Sequence, residues 1–499
     1  MTTLTMTTYS MPGANLGEEN PHPDFKNVSY IHAGYRCTER VTPEEMRHIG
    51  KGMIKTILPY TILDNYDRSR SIRTFPAVVL ENGFLKATFL PTLGGRLWSL
   101  YDKQLNKELL YVNSVFQPAN LAIRNAWFSG GVEWNVGIKG HNPYTCDPLF
   151  VETALSKENV PLLRMYEFER IRGIVYSIEA YLPPDESVLY IRNTIENTSP
   201  KETYAYWWSN IAVAETAATR VIVPATEAFL CQYNEGSYVL DKTAVPYING
   251  VDCSYPYNSR RSLDYFYKIP ASSPKWIAAV EPDGTGLIQF SQSKLPGRKM
   301  FLWGQGAGGR HWGEFLSSPG ESYIEIQAGL THTQLEHLPM KGGETWQWIE
   351  GYCSASCPPE KIAGPWQTAC DTIAASISNH VDLNFLDLCL EQKFPTTLKN
   401  RQILRHGSGW GYLEEKARAH MGKPPLSKLY CFPKQSLTEK QRPWLTLLEK
   451  GEFPCPDPAA APVGYLVCPD WLPLAKQAAI CSNNWYGWLQ LGIMYYANG

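Results

Sequence analysis

The stretch SGGVEWNVGIKGHNP (129–143) sets Glu133 beside an indole and His141 on a Gly-His-Asn-Pro turn, among residues that tighten backbone paths. A carboxyl buried against an aromatic ring has its charged form disfavoured, so its pKa rises and it can deliver a proton. Equally open is a structural role, in which Glu133 caps buried amides and His141 stabilises its turn. Trp134 and Asn135 follow the acid directly and count as ligand contacts. In LPTLGGRLW (90–98), Arg96 follows a glycine pair and either faces a cleft or anchors a carboxylate. The glycine-rich WGQGAGGRHWGEF (303–315) carries Trp303, Arg310, His311 and Trp312. It lacks the spacing of a phosphate-binding loop, and it reads as a long loop over a cleft mouth that touches sugar. His332 and His337 have a spacing that no common zinc motif uses, so no metal is expected and no cofactor is implied.

These residues need elements to position them. At 499 residues and 44% hydrophobic the chain has enough for a large core, with two domains as the natural prior. A formal net charge of -2 argues against nucleic acid as a partner. With 16 Trp and 29 Tyr the chain carries many flat apolar faces with a polar handle, suited to a β-rich core and to stacking on sugars. The 12 cysteines are scattered, which predicts reduced and mostly buried thiols. No secretory signal and no membrane-length apolar run is visible, so a cytoplasmic protein is expected.

Residues 1–29 read as a flexible arm, in part a vector remnant. From residue 30 to 365 alternating segments such as 77–91, 170–183, 188–197, 285–292 and 322–330 predict antiparallel strands bounded by turn residues. Residues 366–480 turn helical and irregular, with helices expected over 371–392 and 437–452 and a proline-rich covering segment at 453–473. Within 481–499, Trp488, Leu491, Gly492 and Tyr495 fit W-x-x-L-G-x-x-Y, the opening of a tetratricopeptide repeat, here truncated.

The strand-turn-strand at 90–111 resembles the opening of the galactose mutarotase-like β-supersandwich. The turn around His141 resembles the histidine turn of those proteins, and 322–350 resembles their late strand, in which Glu325 matches the catalytic base and Gln327 follows. More narrowly, residues 70–365 resemble a family of bacterial proteins with a domain of unknown function (DUF5107) followed by tetratricopeptide repeats. The resemblance implies a mainly β, large antiparallel supersandwich followed by a smaller helical region, acting on a carbohydrate. One departure matters. Mutarotases carry a second histidine in the strand matching ETYAYWWSNIAVAE (202–215), where this chain offers Trp207, Trp208 and Asn210. Mutarotation needs an acid and a base across one ring. Glu133 is then the replacement acid, paired with Glu325 in a glycoside hydrolase acting on an oligosaccharide, with the tryptophans as a stacking wall. An aldose epimerase using His141 and Glu325, and a non-catalytic glycan sensor, are the alternatives. The repeats would hold a protein partner.

Overall fold

The computed structural model describes residues 1–26, 28, 35–234 and 237–499. The expected boundary at residues 29–30 falls outside them. Among the described residues the fold is mainly β, a large antiparallel supersandwich followed by a smaller helical region. One sheet of thirteen strands runs, in spatial order, Thr3–Gly13, Ser71–Glu81, Leu85–Leu90, Arg96–Asp102, Val132–Val136, Trp207–Ala214, Tyr323–Gly329, Gly297–Leu302, Leu263–Tyr267, Glu227–Asn234, Ser237–Ala244 and Tyr35–Cys37, with Lys107–Glu108 added beside Arg96–Asp102. The pairing of Tyr35–Cys37 with Ser237–Ala244 is parallel. A second sheet of nine strands has Thr345–Ser356 and Val188–Asn197 at its centre and Lys399–Arg405 at one edge.

Alternation explains the layering, since successive residues of a strand point to opposite faces. Val132, Trp134 and Val136, Ile211 and Val213, Ile324 and Ile326, and Met300 and Leu302 point inward and meet Ile174, Tyr176, Ile178, Leu189 and Trp348 of the other sheet in one core. The outer face of the nine-stranded sheet is also apolar, and the helices cover it. Trp366–Ser378 and Leu386–Lys393 pack near Tyr190, Ile288 and Phe290. Trp410–His420, Arg442–Lys450, Leu472–Ser482 and Trp485–Asn498 pack near Phe150, Tyr166 and Val175. The helical region therefore leaves the outer face of the thirteen-stranded sheet for other uses.

Several expectations change. Residues 3–13, read as a loose arm, form an edge strand in register with residues 71–81 from Thr3 opposite Glu81 to Gly13 opposite Ser71. Their threonine-rich alternation suits an extended, half-exposed strand. The region beginning at 366 is not purely helical, because Lys399–Arg405 pairs with Phe150–Leu155. The glycine-rich 303–315 stretch holds a helix, Ala307–Leu316, in place of the expected loop. No helix among the described residues is long and apolar enough to cross a membrane.

Candidate functional site

Strand register decides which side chains share the open face. Glu133 lies opposite Asn210, Asn210 opposite Gln327, and Gln327 opposite Lys299, a polar rung across four strands. The adjacent rung runs Ala212, Glu325, Phe301, Asp264. Two strand spacings and two residues separate the two glutamates, about 12 Å between Cα atoms by ladder geometry.

Glu133 is 4% exposed and accepts from every side. Its Oε2 takes the Trp127 Nε1–H at 2.9 Å and lies 2.8 Å from His141 Nδ1. Its Oε1 takes the Thr145 hydroxyl at 2.7 Å and has Arg96 at 3.7 Å. Burial alone would push this carboxyl up. His141, Arg96 and the Trp127 N–H outweigh it and hold the group at about 2, below its ordinary 4.5. This reverses the sequence expectation of a protonated general acid. The indole beside Glu133 in the fold is Trp127, acting as a donor, and not Trp134.

An ionised carboxylate is acceptor-only, so His141 donates through Nδ1. That leaves Nε2 as the ring atom able to exchange a proton with a ligand. The turn that aims this ring is built with care. His141 sits at a φ of 75°, in the left-handed region that disfavours side chains. Asn142 secures it: its N–H donates to Asn135 Oδ1 at 2.8 Å and its amide to the Trp134 carbonyl at 3.0 Å, while its Oδ1 accepts from Tyr144 N–H at 2.9 Å. The His141 ring also lies 5.0 Å from that of Trp127.

Glu325 is 7% exposed and differently placed. Burial raises its pKa; Lys299 and His141 pull it back and Glu133 adds repulsion. Gln327 donates to it at 2.8 Å, Gln334 donates to Gln327 at 2.7 Å, and Lys299 donates to Gln334 at 2.6 Å. Between the two acids, Asn210 is buried and its Oδ1 has no hydrogen-bond partner among the described residues. A buried acceptor left without a donor costs free energy.

The remaining predicted residues divide. Arg96 is buried behind Glu133, donating to the carbonyls of Phe128 and Gly130 at 2.6 and 3.0 Å, and so anchors the carboxylate. Asn135 holds the turn. Trp134 and Trp207 point into the inter-sheet core, with Trp134 Nε1 on the Gly95 carbonyl and Trp207 Nε1 on Ser209 Oγ. Trp208 is on the outer side but is sealed under Val41, Ile49 and Leu335, lying against Gly329. The expected wall of two adjacent tryptophans is therefore excluded by strand parity. Trp303 is half-buried and stacks on Trp312 at 5.9 Å, edge-on to Tyr323 at 6.4 Å. Tyr323 in turn stacks on Tyr111 at 4.9 Å. Arg310 and His311 are exposed on the same helix as Trp312. Sequence reading missed Trp127, Thr145, Lys299 and Gln334. Lys299 alone left a signal, as one of two adjacent charges in the strand Gly297–Leu302.

The fold and this face define a large antiparallel β-sandwich with a glutamate–histidine pair and a second buried glutamate on its outer surface. Residues 53–344 match the family described as Domain of unknown function (DUF5107), and the chain belongs to that family. A TPR-domain containing protein from Parabacteroides distasonis ATCC 8503 has a similar structure, with 17% sequence identity and a TM-score of 0.64 over 100% of this chain and 77% of that one. A galactose mutarotase-like protein from Clostridium acetobutylicum matches at 9% identity and a TM-score of 0.40, over 56% of this chain and 96% of that chain.

Proposed function

We propose that the protein binds a carbohydrate on the outer face of the thirteen-stranded sheet and moves protons at the sugar's anomeric centre, as an aldose epimerase does. His141 and Glu325 form the acid–base pair, and Glu133 orients the imidazole. The observation that carries this reading is the 2.8 Å contact between His141 and a Glu133 held at about 2, with Glu325 raised on the same face. Ring opening of a hemiacetal takes a proton from the anomeric hydroxyl and gives one to the ring oxygen. Two groups poised between proton states do this best. A histidine whose Nδ1 is tied to a carboxylate presents Nε2 for one transfer, and a carboxyl raised by burial serves the other. Asn210 would supply an acceptor for a sugar hydroxyl, and Trp303 and Trp312 the apolar faces.

A glycoside hydrolase with Glu133 as acid is disfavoured, because that carboxylate has no proton to give near neutrality and its oxygens face protein donors. The split between the two acids would suit hydrolysis only with Glu325 as acid. NMR of the protein with free aldoses and a panel of oligosaccharides separates these readings, with Glu325→Gln as control. Faster anomer exchange that disappears in Glu325→Gln is expected. New reducing ends would establish a hydrolase, and sugar binding without turnover in either protein a sensor.

The last helix is the second part of the proposal. Leu491 and Met494 face inward, whereas Trp488 and Tyr495 are largely exposed and Gly492 meets open space between them. This stripe suits the first helix of a tetratricopeptide repeat, ready to receive a further helix and, through it, a protein partner.

A further inference from the structure

We propose that the sugar held on this face carries an anionic group, a carboxylate or a phosphate, and that Lys139 with Lys299 holds it. The proposal rests on the carbohydrate reading above and names the class of sugar.

Lys139 lies two residues before His141, on the segment that leaves Val132–Val136, and is half-buried. Its Nζ stands 5.0 Å from the centre of the Tyr238 ring and makes no ion pair among the described residues. The charged groups that act on it are Asp264 and Lys299, together with the Cys231 thiol. Asp264 is already taken, since Lys299 pairs with it at 2.7 Å. Lys299 itself is 6% exposed and has Gln334 as its other partner. Asp264 thus acts on both ammonium groups, and only Lys299 pairs with it. Arg96 shows the contrast, a buried cation with its own carboxylate in Glu133. A half-buried cation with no ion pair of its own is costly, and an anion that arrives with the ligand reduces the cost.

Placement agrees with this chemistry. Along the polar rung Lys299 stands three strand spacings from Glu133, roughly 14 Å between Cα atoms, with Glu325 near the middle. A sugar whose anomeric carbon meets His141 and Glu325 directs its far substituent toward the lysines. A uronic acid and a sugar phosphate both put negative charge at that end.

The test compares the dissociation constants of glucose, glucuronate and glucose 6-phosphate for the full chain and for Lys139→Gln and Lys139→Arg. The acidic sugars should bind about tenfold or more tightly than glucose, the gain of a charge-assisted contact. Lys139→Gln should bring that ratio close to one and Lys139→Arg should keep it. Whichever acidic sugar binds more tightly identifies the group. Glucose binding as tightly as both acids in the wild type overturns the proposal and leaves the carbohydrate reading standing. So does an acid preference undiminished in Lys139→Gln. Failure of all three sugars to bind overturns both. Should Lys139→Gln not fold, the wild-type ratio alone still decides.

Discussion

Glu133→Gln keeps the size of the side chain and removes its charge. Arg96, itself fully buried, then has no carboxylate where one stood at 3.7 Å. Removing one member of a buried ion pair costs about 3–5 kcal/mol. pH gives the sharper test. The Glu133 carboxyl titrates at about 2 in the folded chain against 4.5 for its ordinary value. A folded pKa below the unfolded one contributes stability that is present above the unfolded value and is lost as pH falls toward the folded one. The full difference corresponds to about 3 kcal/mol, and about 2 kcal/mol of it should be gone by pH 3. Urea unfolding followed by tryptophan fluorescence, at pH 7, 5, 4 and 3, measures this for both proteins. The stability gap between wild type and Glu133→Gln should narrow by about 2 kcal/mol from pH 7 to pH 3, since the variant has no carboxyl to protonate there. A gap that stays constant over that range would refute an ionised Glu133, and with it the account of how His141 is held.

Other perturbations probe the scaffold. Burial raises the Glu167 carboxyl to about 8, so its contribution to stability is complete below 4.5 and drains away as pH climbs to about 8. Glu167→Gln should therefore gain on the wild type between pH 5 and pH 9 in thermal melts; parallel curves would contradict this. A Cβ at Gly329 would fall 2.3 Å from the Trp208 ring. Gly329→Ala should cost about 1–3 kcal/mol by overpacking, read as a lower Tm. In the last helix, Leu491→Ala should cost about 2–5 kcal/mol while Trp488→Ala stays within about 0.5 kcal/mol. A large loss at Trp488 would show that its ring already serves this fold and is not kept for another helix.

The alternating segments announced most of the sandwich, because a period of two survives in sequence wherever one face is buried. Val188–Asn197 and Tyr323–Gly329 fall where that pattern places them. Helix 371–392 was legible in type but not in extent: it is two helices, Trp366–Ser378 and Leu386–Lys393, with a turn between them that residues 379–385 bridge. The strand Thr3–Gly13 was missed because nothing local rewards it. Its stability comes from pairing with residues about seventy positions away. Strand parity, by contrast, was in the sequence all along. Glu133 and Trp134 are neighbours, as are Trp207 and Trp208, so one member of each pair had to leave the open face.

The reversal at Glu133 marks the deeper limit. From sequence, its neighbours are glycines and an indole, and burial is then the dominant effect on a carboxyl. In the fold, that burial still acts, but the charges and donors that oppose it arrive from other segments: Arg96 from the strand beside it, Trp127 from a short strand earlier in the chain, Thr145 and His141 from the turn that follows. Sequence distance does not order these contributions, because a sheet brings residues together by register and a turn by its closure. The sign of a pKa shift depends on whether a buried acid meets cations or stands alone. Glu133 has His141 and Arg96 beside it, whereas Lys299 and His141 act on Glu325 without outweighing its burial, so the same residue type on the same face is pushed down in one place and up in the other. Under the proposed function, that asymmetry makes Glu133 the anchor of an imidazole and Glu325 its partner in proton transfer.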